Sequence, residues 1–283
     1  MLNNNLKTKL ICIITSFVLL CFVPLAANAE DSVCVPVLMY HAVSDDTQNP
    51  YAISPALFET HISSLLNDGY TPVFLSELCD YVENGKALPQ KPVCITFDDG
   101  YLDNYTTAFP ILKKYNAKAT IFIIGVSVGK SKYKDTTYTM NPHFGYNEAR
   151  EMLASKLVDI QSHTYDMHQW APYEGTAPRE NILRLNGESV MDYILHLRDD
   201  IGKSKSKIEG EFGSKMYALA YPGGRYDSIS ELTLHSMGVK VTLATTMGVN
   251  YIKQGDKTTL YKMNRFNMNS DVTYDVLMQM IGR

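Results

Sequence analysis

The chain has 283 residues, 45% of them hydrophobic and 20% charged, with a formal net charge of −4. The acidic balance and the lack of any Lys/Arg run argue against a nucleic-acid partner. The length suits one large domain, and α/β barrels commonly have this size.

Lys7 and Lys9 precede an apolar run from Leu10 to Leu25, and Ala27-Asn28-Ala29 is a small-residue cleavage site. Residues 1–29 therefore read as a secretory signal peptide and 30–283 as the mature domain, placed outside the cell or at its surface. Pro24 interrupts the apolar run, which is short for a span, so no membrane anchor is expected after cleavage. Removing Lys7 and Lys9 would take the charge from −4 to −6. Cys34, Cys79 and Cys94 would remain, an odd number, two of them in or beside apolar strand patterns. Buried thiols are expected rather than a disulfide scaffold, with a Cys34–Cys94 bridge left open.

Cys34–Tyr40 reads as a strand ending at His41. Ser54-Pro55 starts a helix through Asp68, with Ser as N-cap, Pro in the first turn and Phe58, Ile62, Leu65 and Leu66 on one face; Gly69 stops it. A short strand at Tyr70–Leu75 and a helix at Ser76–Glu83 follow. Val93–Phe97 is a short apolar, β-branched run of the kind buried on both faces of a parallel sheet, and Asp98-Asp99-Gly100 comes at its carboxyl end. Asp-Asp-Gly is also ordinary turn chemistry. On an extended chain the two carboxylates point opposite ways and can serve two tasks. A helix at Asp103–Tyr115 leads to a buried strand at Ala119–Ile124.

Residues 125–145 show no period and read as a surface excursion. A helix at Asn147–Lys156 precedes the strand Val158–Ile160, which delivers His163 and His168. The loop Trp170–Arg179 holds the only tryptophan; Trp170, Tyr173 and Tyr165 are candidate sugar-stacking surfaces as well as ordinary loop anchors. Then come a helix at Glu188–Glu209, a strand at Lys215–Ala220 ending in Tyr221-Pro222-Gly223-Gly224, a helix at Ser228–Met237, strands at Val239–Ala244 and Leu260–Met263, and a closing helix at Val272–Ile281. Strands alternating with helices predict a parallel sheet with right-handed crossovers, closing as about seven βα units.

Asp99, His163 and His168 supply one carboxylate and two imidazoles, a set that leaves room for water and substrate as catalytic metal sites do. The five-residue separation of the histidines is not that of one helix face, so a loop must bend them together. Asp98 is the candidate general base. His41, the strand-end histidine with no other assignment, is the candidate proton donor, and the backbone N–H of Gly223 a candidate oxyanion donor.

Thr96-Phe97-Asp98-Asp99-Gly100, His163-Thr164 through His168, and Tyr221-Pro222-Gly223 together resemble the three leading motifs of the polysaccharide deacetylase family, the NodB-homology or carbohydrate esterase family 4 domain. The resemblance covers the chain from Val35 to its end. It implies a distorted (β/α)7 barrel, single-domain, with a divalent metal held by Asp99, His163 and His168, zinc first, with Co2+, Ni2+ or Fe2+ also acceptable to such donors. It implies Asp98 as base, Tyr221 and Pro222 beside the substrate, and acetyl removal from a polymeric sugar.

The chain departs from the family pattern in its HxxxxH spacing, in Ala220 where an arginine stands two residues before the motif proline, and in having no late Leu-x-His motif. With Pro36-Val37-Leu38-Met39-Tyr40-His41 near the start, these departures resemble the branch acting on poly-β-1,6-N-acetylglucosamine, where the acid histidine lies early; His41 takes that role. Arg225 and Arg265 are the two arginines that could replace the missing one. The resemblance favours exopolysaccharide N-deacetylation over peptidoglycan or chitin. An O-acetyl esterase on xylan-like glycans and a silent glycan-binding barrel stay as alternatives, and a monomer is expected.

Overall fold

The computed structural model describes residues 32–175 and 177–282. The expected signal peptide at 1–29 lies outside the described residues. The strands are β1 (Ser32–Val35), β2 (Val37–Tyr40), β3 (Ala42–Val43), β4 (Ala52–Ile53), β5 (Thr71–Pro72), β6 (Pro92–Phe97), β7 (Ala119–Ile123), β8 (Val158–Ser162), β9 (Ala218–Ala220), β10 (Val241–Leu243), β11 (Asn250–Lys253) and β12 (Phe266–Asn267). The helices are α1 (Pro55–Asn67), α2 (Leu75–Asn84), α3 (Phe109–Tyr115), α4 (Tyr146–Ala154), α5 (Val190–Phe212), α6 (Ser228–Ser236) and α7 (Tyr274–Met280).

The main sheet runs β10-β9-β8-β7-β6-β2-β12, with β5 beside the start of β6. Every pairing within it is parallel. The sheet curls until its edges are bridged by one stretch of chain: Met263 pairs in parallel with Leu243 of β10, and β12, a few residues on, pairs with β2. This is the distorted α/β barrel expected from the sequence, with the expected strand at Leu260–Met263 replaced by a 3-10 turn at Lys257–Leu260 and the bridging segment after it.

Strand β6 is buried along its whole length. Side chains alternate between two cores, as a period of two requires. Val93, Ile95 and Phe97 join the helix-covered layer with Ile121, Ile123 and Ile160. Cys94 faces the other side with Val37, Phe122, Ala220 and Leu243. Thr96 and then Asp98 continue the parity of Cys94 towards the barrel axis.

The first helix starts where its cap signal puts it, Ser54 accepting the Leu57 N–H at the start of α1. The second does not start from Ser76 as its cap: α2 begins at Leu75 with Phe74 as N-cap, because Glu77 reaches back to take the Phe74 N–H. Three local expectations fail for backbone reasons. Pro36 offers no N–H to a ladder, so the first strand breaks there and β1 turns to pair antiparallel with β11. Pro110 cannot donate to the turn before it, and the expected helix at 103–115 opens with a π-turn at Asn104–Ala108, the Phe109 N–H reaching the Asn104 carbonyl. Residues 125–145 fold back as a tied loop, with Gly129 N–H to Phe144 O at 2.9 Å and His143 N–H to Lys130 O at 2.9 Å. Tyr133, His143 and Phe144 are buried in it; an irregular backbone buries them with no period to betray it.

Cys34, Cys79 and Cys94 are free thiols, the first exposed and the other two buried, so no Cys34–Cys94 bridge forms. No helix among the described residues is long and apolar enough to cross a membrane.

Candidate active site

The carboxyl ends of the parallel strands open into a cleft of about 1090 Å3 lined by His41, Asp98, Asp99, His163, His168 and Gly223, among others. Such a rim is where α/β folds gather reactive side chains. Residues separated by more than a hundred positions in sequence meet there because adjacent parallel strands end together.

Asp98 ends β6 on the barrel side and is almost fully buried. Arg265, itself inaccessible to solvent, grips it with two hydrogen bonds, Nη1 to Oδ1 at 2.7 Å and Nη2 to Oδ2 at 2.8 Å. The guanidinium is aimed by Nε, which donates to the Ala244 carbonyl at 2.9 Å. Arg265 lies on the segment that closes the barrel, so closure and the charge beside Asp98 are the same event. Burial alone would raise the Asp98 carboxyl; the charge and hydrogen bonds of Arg265, joined by His163 once acid protonates it, outweigh burial and hold the group well below the usual carboxylate range. Of the two arginines singled out in the sequence, Arg265 is the one that stands against Asp98. Arg225, the other sequence candidate, is exposed beyond the turn at Pro222–Gly224.

Asp99 does not alternate away from Asp98 as an extended chain would require. Its φ is +72°, a left-handed conformation that turns its side chain into the same cleft at a cost tolerated mainly at functional positions. Gly100 follows at φ +81°, and a Cβ there would meet Ile123 Cγ2 at 2.9 Å, so only glycine fits. Asp99 Oδ1 is buried without a hydrogen-bond partner. It stands 3.6 Å from His163 Nε2 and 3.7 Å from His168 Nε2.

His163 Nδ1 lies 2.8 Å from the Ala220 carbonyl; a carbonyl only accepts, so Nδ1 carries the proton and the Nε2 lone pair faces Asp99. Burial pushes this imidazole down to about 4, which keeps that lone pair free.

The donor atoms of Asp99, His163 and His168 all lie within 4.8 Å of one another. Donors about 2.1 Å from one tetrahedral ion would be separated by about 3.4 Å, close to the two spacings measured from Oδ1. An orphaned buried carboxylate oxygen facing two imidazole nitrogens, too far for hydrogen bonds, fits a divalent cation.

The remaining candidates divide. His41 lines the cleft, its Nδ1 buried without a partner and its ring 5.1 Å from that of Tyr51; Asn104 fixes its carbonyl at 2.7 Å. Gly223, at φ +59°, also lines the cleft. Trp170 lines it too and is half-exposed. Tyr221 is a correction: it is fully buried and its hydroxyl donates to Glu231 on α6, so no sugar can reach it. Pro222 is buried beside it. Tyr165 opens onto a separate shallow depression along α5, with Arg198 and Lys207, because the loop after His163 turns it outwards.

Sequence reasoning missed His143, a buried imidazole in the cleft wall 5.1 Å from the Tyr101 ring. Its lone position in an unpatterned stretch gave no signal.

A curled parallel sheet carrying an arginine-held carboxylate beside an Asp-His-His cluster at its carboxyl rim defines a hydrolase of the α/β barrel type. Residues 85–242 match the family model described as polysaccharide deacetylase, and the chain belongs to that family. It is 29% identical over 242 residues to YxkH of Bacillus subtilis (strain 168), named as a polysaccharide deacetylase, covering 86% of this chain and 74% of that one. It is 28% identical over 203 residues to the poly-beta-1,6-N-acetyl-D-glucosamine N-deacetylase of Staphylococcus aureus (strain MRSA252), covering 72% of this chain and 64% of the relative. A solved de-N-acetylase from Aggregatibacter actinomycetemcomitans superposes with a TM-score of 0.73 at 28% identity, over 88% of this chain and all of that one.

Proposed function

We propose that the chain is a secreted, metal-dependent N-deacetylase acting on an exopolysaccharide of N-acetylglucosamine, of the poly-β-1,6 type. The observation that carries this reading is the pairing of an ionised, arginine-clamped Asp98 with the orphaned Asp99 Oδ1 facing two imidazole nitrogens. The amide specificity and the sugar rest on the names of the similar proteins, and the location on residues 1–29.

Asp99, His163 and His168 would hold the cation, with zinc favoured and cobalt, nickel or iron compatible with the same donors. Bound there, a divalent ion supplies a Lewis acid for the acetyl carbonyl and lowers the pKa of water from about 15.7 to about 7. The protein's own groups do the rest. Asp98 takes a proton from the attacking water, and Arg265 keeps it unprotonated and fixed in direction. His41 gives a proton to the departing sugar nitrogen. Gly223 offers its backbone N–H to the oxygen that gains charge. The carbon–nitrogen bond breaks, leaving acetate and a free amine on the polymer. Trp170, exposed at the cleft, offers an apolar face for a sugar ring.

Acetate release from β-1,6-N-acetylglucosamine oligomers tests the reading. EDTA should abolish it, and zinc or cobalt should restore it. Release that ignores chelation refutes the metal role. Release from acetylated xylan alone would move the activity to esters, and tight glycan binding without acetate at any metal loading would leave a binding barrel. Mass spectrometry of protein from the culture supernatant should find Glu30 at the N-terminus.

A further inference from the structure

The two imidazoles of the cluster are held by different means. His163 follows β8 directly; its backbone N–H donates to the Ile123 carbonyl at 2.9 Å and its Nδ1 to Ala220 at 2.8 Å. The sheet alone places it. His168 comes five residues later, beyond Thr164 at φ +72°, and its side chain is one-third exposed. Its position depends on the shape of the loop between them.

Helix α5 shapes that loop. Asp200 is buried, and its two carboxylate oxygens accept two consecutive backbone N–H groups, Tyr165 to Oδ1 at 2.8 Å and Asp166 to Oδ2 at 2.7 Å. One helical turn on, Ser204 Oγ pairs with Ser162 Oγ at 2.8 Å, and Ser162 Oγ accepts the Thr164 N–H at 3.0 Å. Asp200 and Ser204 thus present one i, i+4 face to the loop. The loop's carbonyls are tied on its other side, Thr164 O by Gly125 N–H at 3.0 Å and Tyr165 O by Val126 N–H at 2.9 Å.

A carboxylate buried this deeply is costly, and burial pushes it up to about 6 against the pull of the two N–H groups. An apolar residue would fill the same volume without that cost. What an apolar residue cannot do is bind two successive N–H groups and so impose the turn.

We propose that Asp200 is a positioning residue for the metal centre, acting through the 164–167 loop to bring His168 Nε2 to Asp99. The inference rests on the proposed role of Asp99, His163 and His168 as ligands. Groups that orient metal ligands typically change affinity by about 10–100-fold when removed, and that is the effect expected here.

Zinc binding is measured by competition with a chromogenic chelator on the wild type, Asp200→Ala, Asp200→Asn, His168→Ala and the Asp200→Ala/His168→Ala double variant. Asp200→Ala should bind zinc about 10–100-fold more weakly, with a far-ultraviolet spectrum unchanged in EDTA. Asp200→Asn keeps one acceptor and should fall between it and the wild type. The double variant should bind no more weakly than His168→Ala, because a displaced ligand has nothing left to lose. Wild-type affinity in Asp200→Ala, or losses that multiply in the double variant, overturns the inference. Should Asp200→Ala fail to fold, Asp200→Asn decides: folded with wild-type affinity, it overturns the inference. A wild type that binds no zinc overturns the ligand assignment itself, an outcome distinct from all of these.

Discussion

Replacing Arg265 by methionine keeps most of the side-chain volume and removes every polar contact that it makes. Two charge-assisted hydrogen bonds to Asp98, at 2.7 and 2.8 Å, a third to the Ala244 carbonyl at 2.9 Å and a long fourth to Thr96 Oγ1 at 3.5 Å are lost together. Both ionised partners have almost no solvent contact, so water cannot replace the guanidinium, and a buried carboxylate stands uncompensated. Breaking a buried pair from one side costs about 3–5 kcal/mol. For a chain of this size that corresponds to a melting temperature lower by about 6–20 °C, at about 2–4 °C per kcal/mol. Acetate release should fall by about 100-fold or more, the usual range for a displaced general base. Zinc affinity should change little, since none of the three proposed ligands touches the guanidinium. Arg265→Lys should lie between, because an ammonium cannot make the two-pronged contact. A methionine variant that melts with the wild type and releases acetate at the wild-type rate would refute the clamp.

Gly100→Ala should destabilise the fold by about 1–3 kcal/mol in urea titration, since the residue sits at φ +81° and an added methyl group would stand 2.9 Å from Ile123 Cγ2; an unchanged midpoint would contradict the close approach. Trp170→Ala should leave the stability within about 0.5 kcal/mol of the wild type, as exposed positions do, while raising KM for longer oligomers; Tyr221→Phe should show the reverse pattern, lowered stability and unchanged KM. Glu188 is held down to about 2 because, although burial raises it, hydrogen bonds from Arg179 and His196 outweigh that. Its folded value lies below its unfolded one near 4.5, so its stabilising contribution is complete above about 4.5 and fades as the pH falls towards 2. Tryptophan emission reports the event, because Trp170 is the only tryptophan and its neighbour Gln169 is bonded to Arg179 at 2.7 Å. Glu188→Gln should lose this acid transition, and coincident transitions in both proteins would refute it.

Much of this protein is legible locally. Short apolar strands ending in Asp98-Asp99-Gly100 and before His163, and caps such as Ser54, announce a parallel α/β fold with polar groups at one rim, because burial pattern and capping are properties of a few adjacent residues. What the chain order does not reveal is which distant groups meet. Arg265 lies 167 residues from Asp98 and finds it only because the barrel closes through the segment after Met263. The left-handed turn at Asp99, which overrides strand alternation, and the inward rotation of Tyr221 towards Glu231 are likewise settled by neighbours from other strands and helices. Asp200 reads as one more acid on an amphipathic helix until packing sets it under two backbone N–H groups. Residue type and spacing determine which chemistry is available, whereas strand closure and the cost of leaving buried charges unpaired decide which side chains share it.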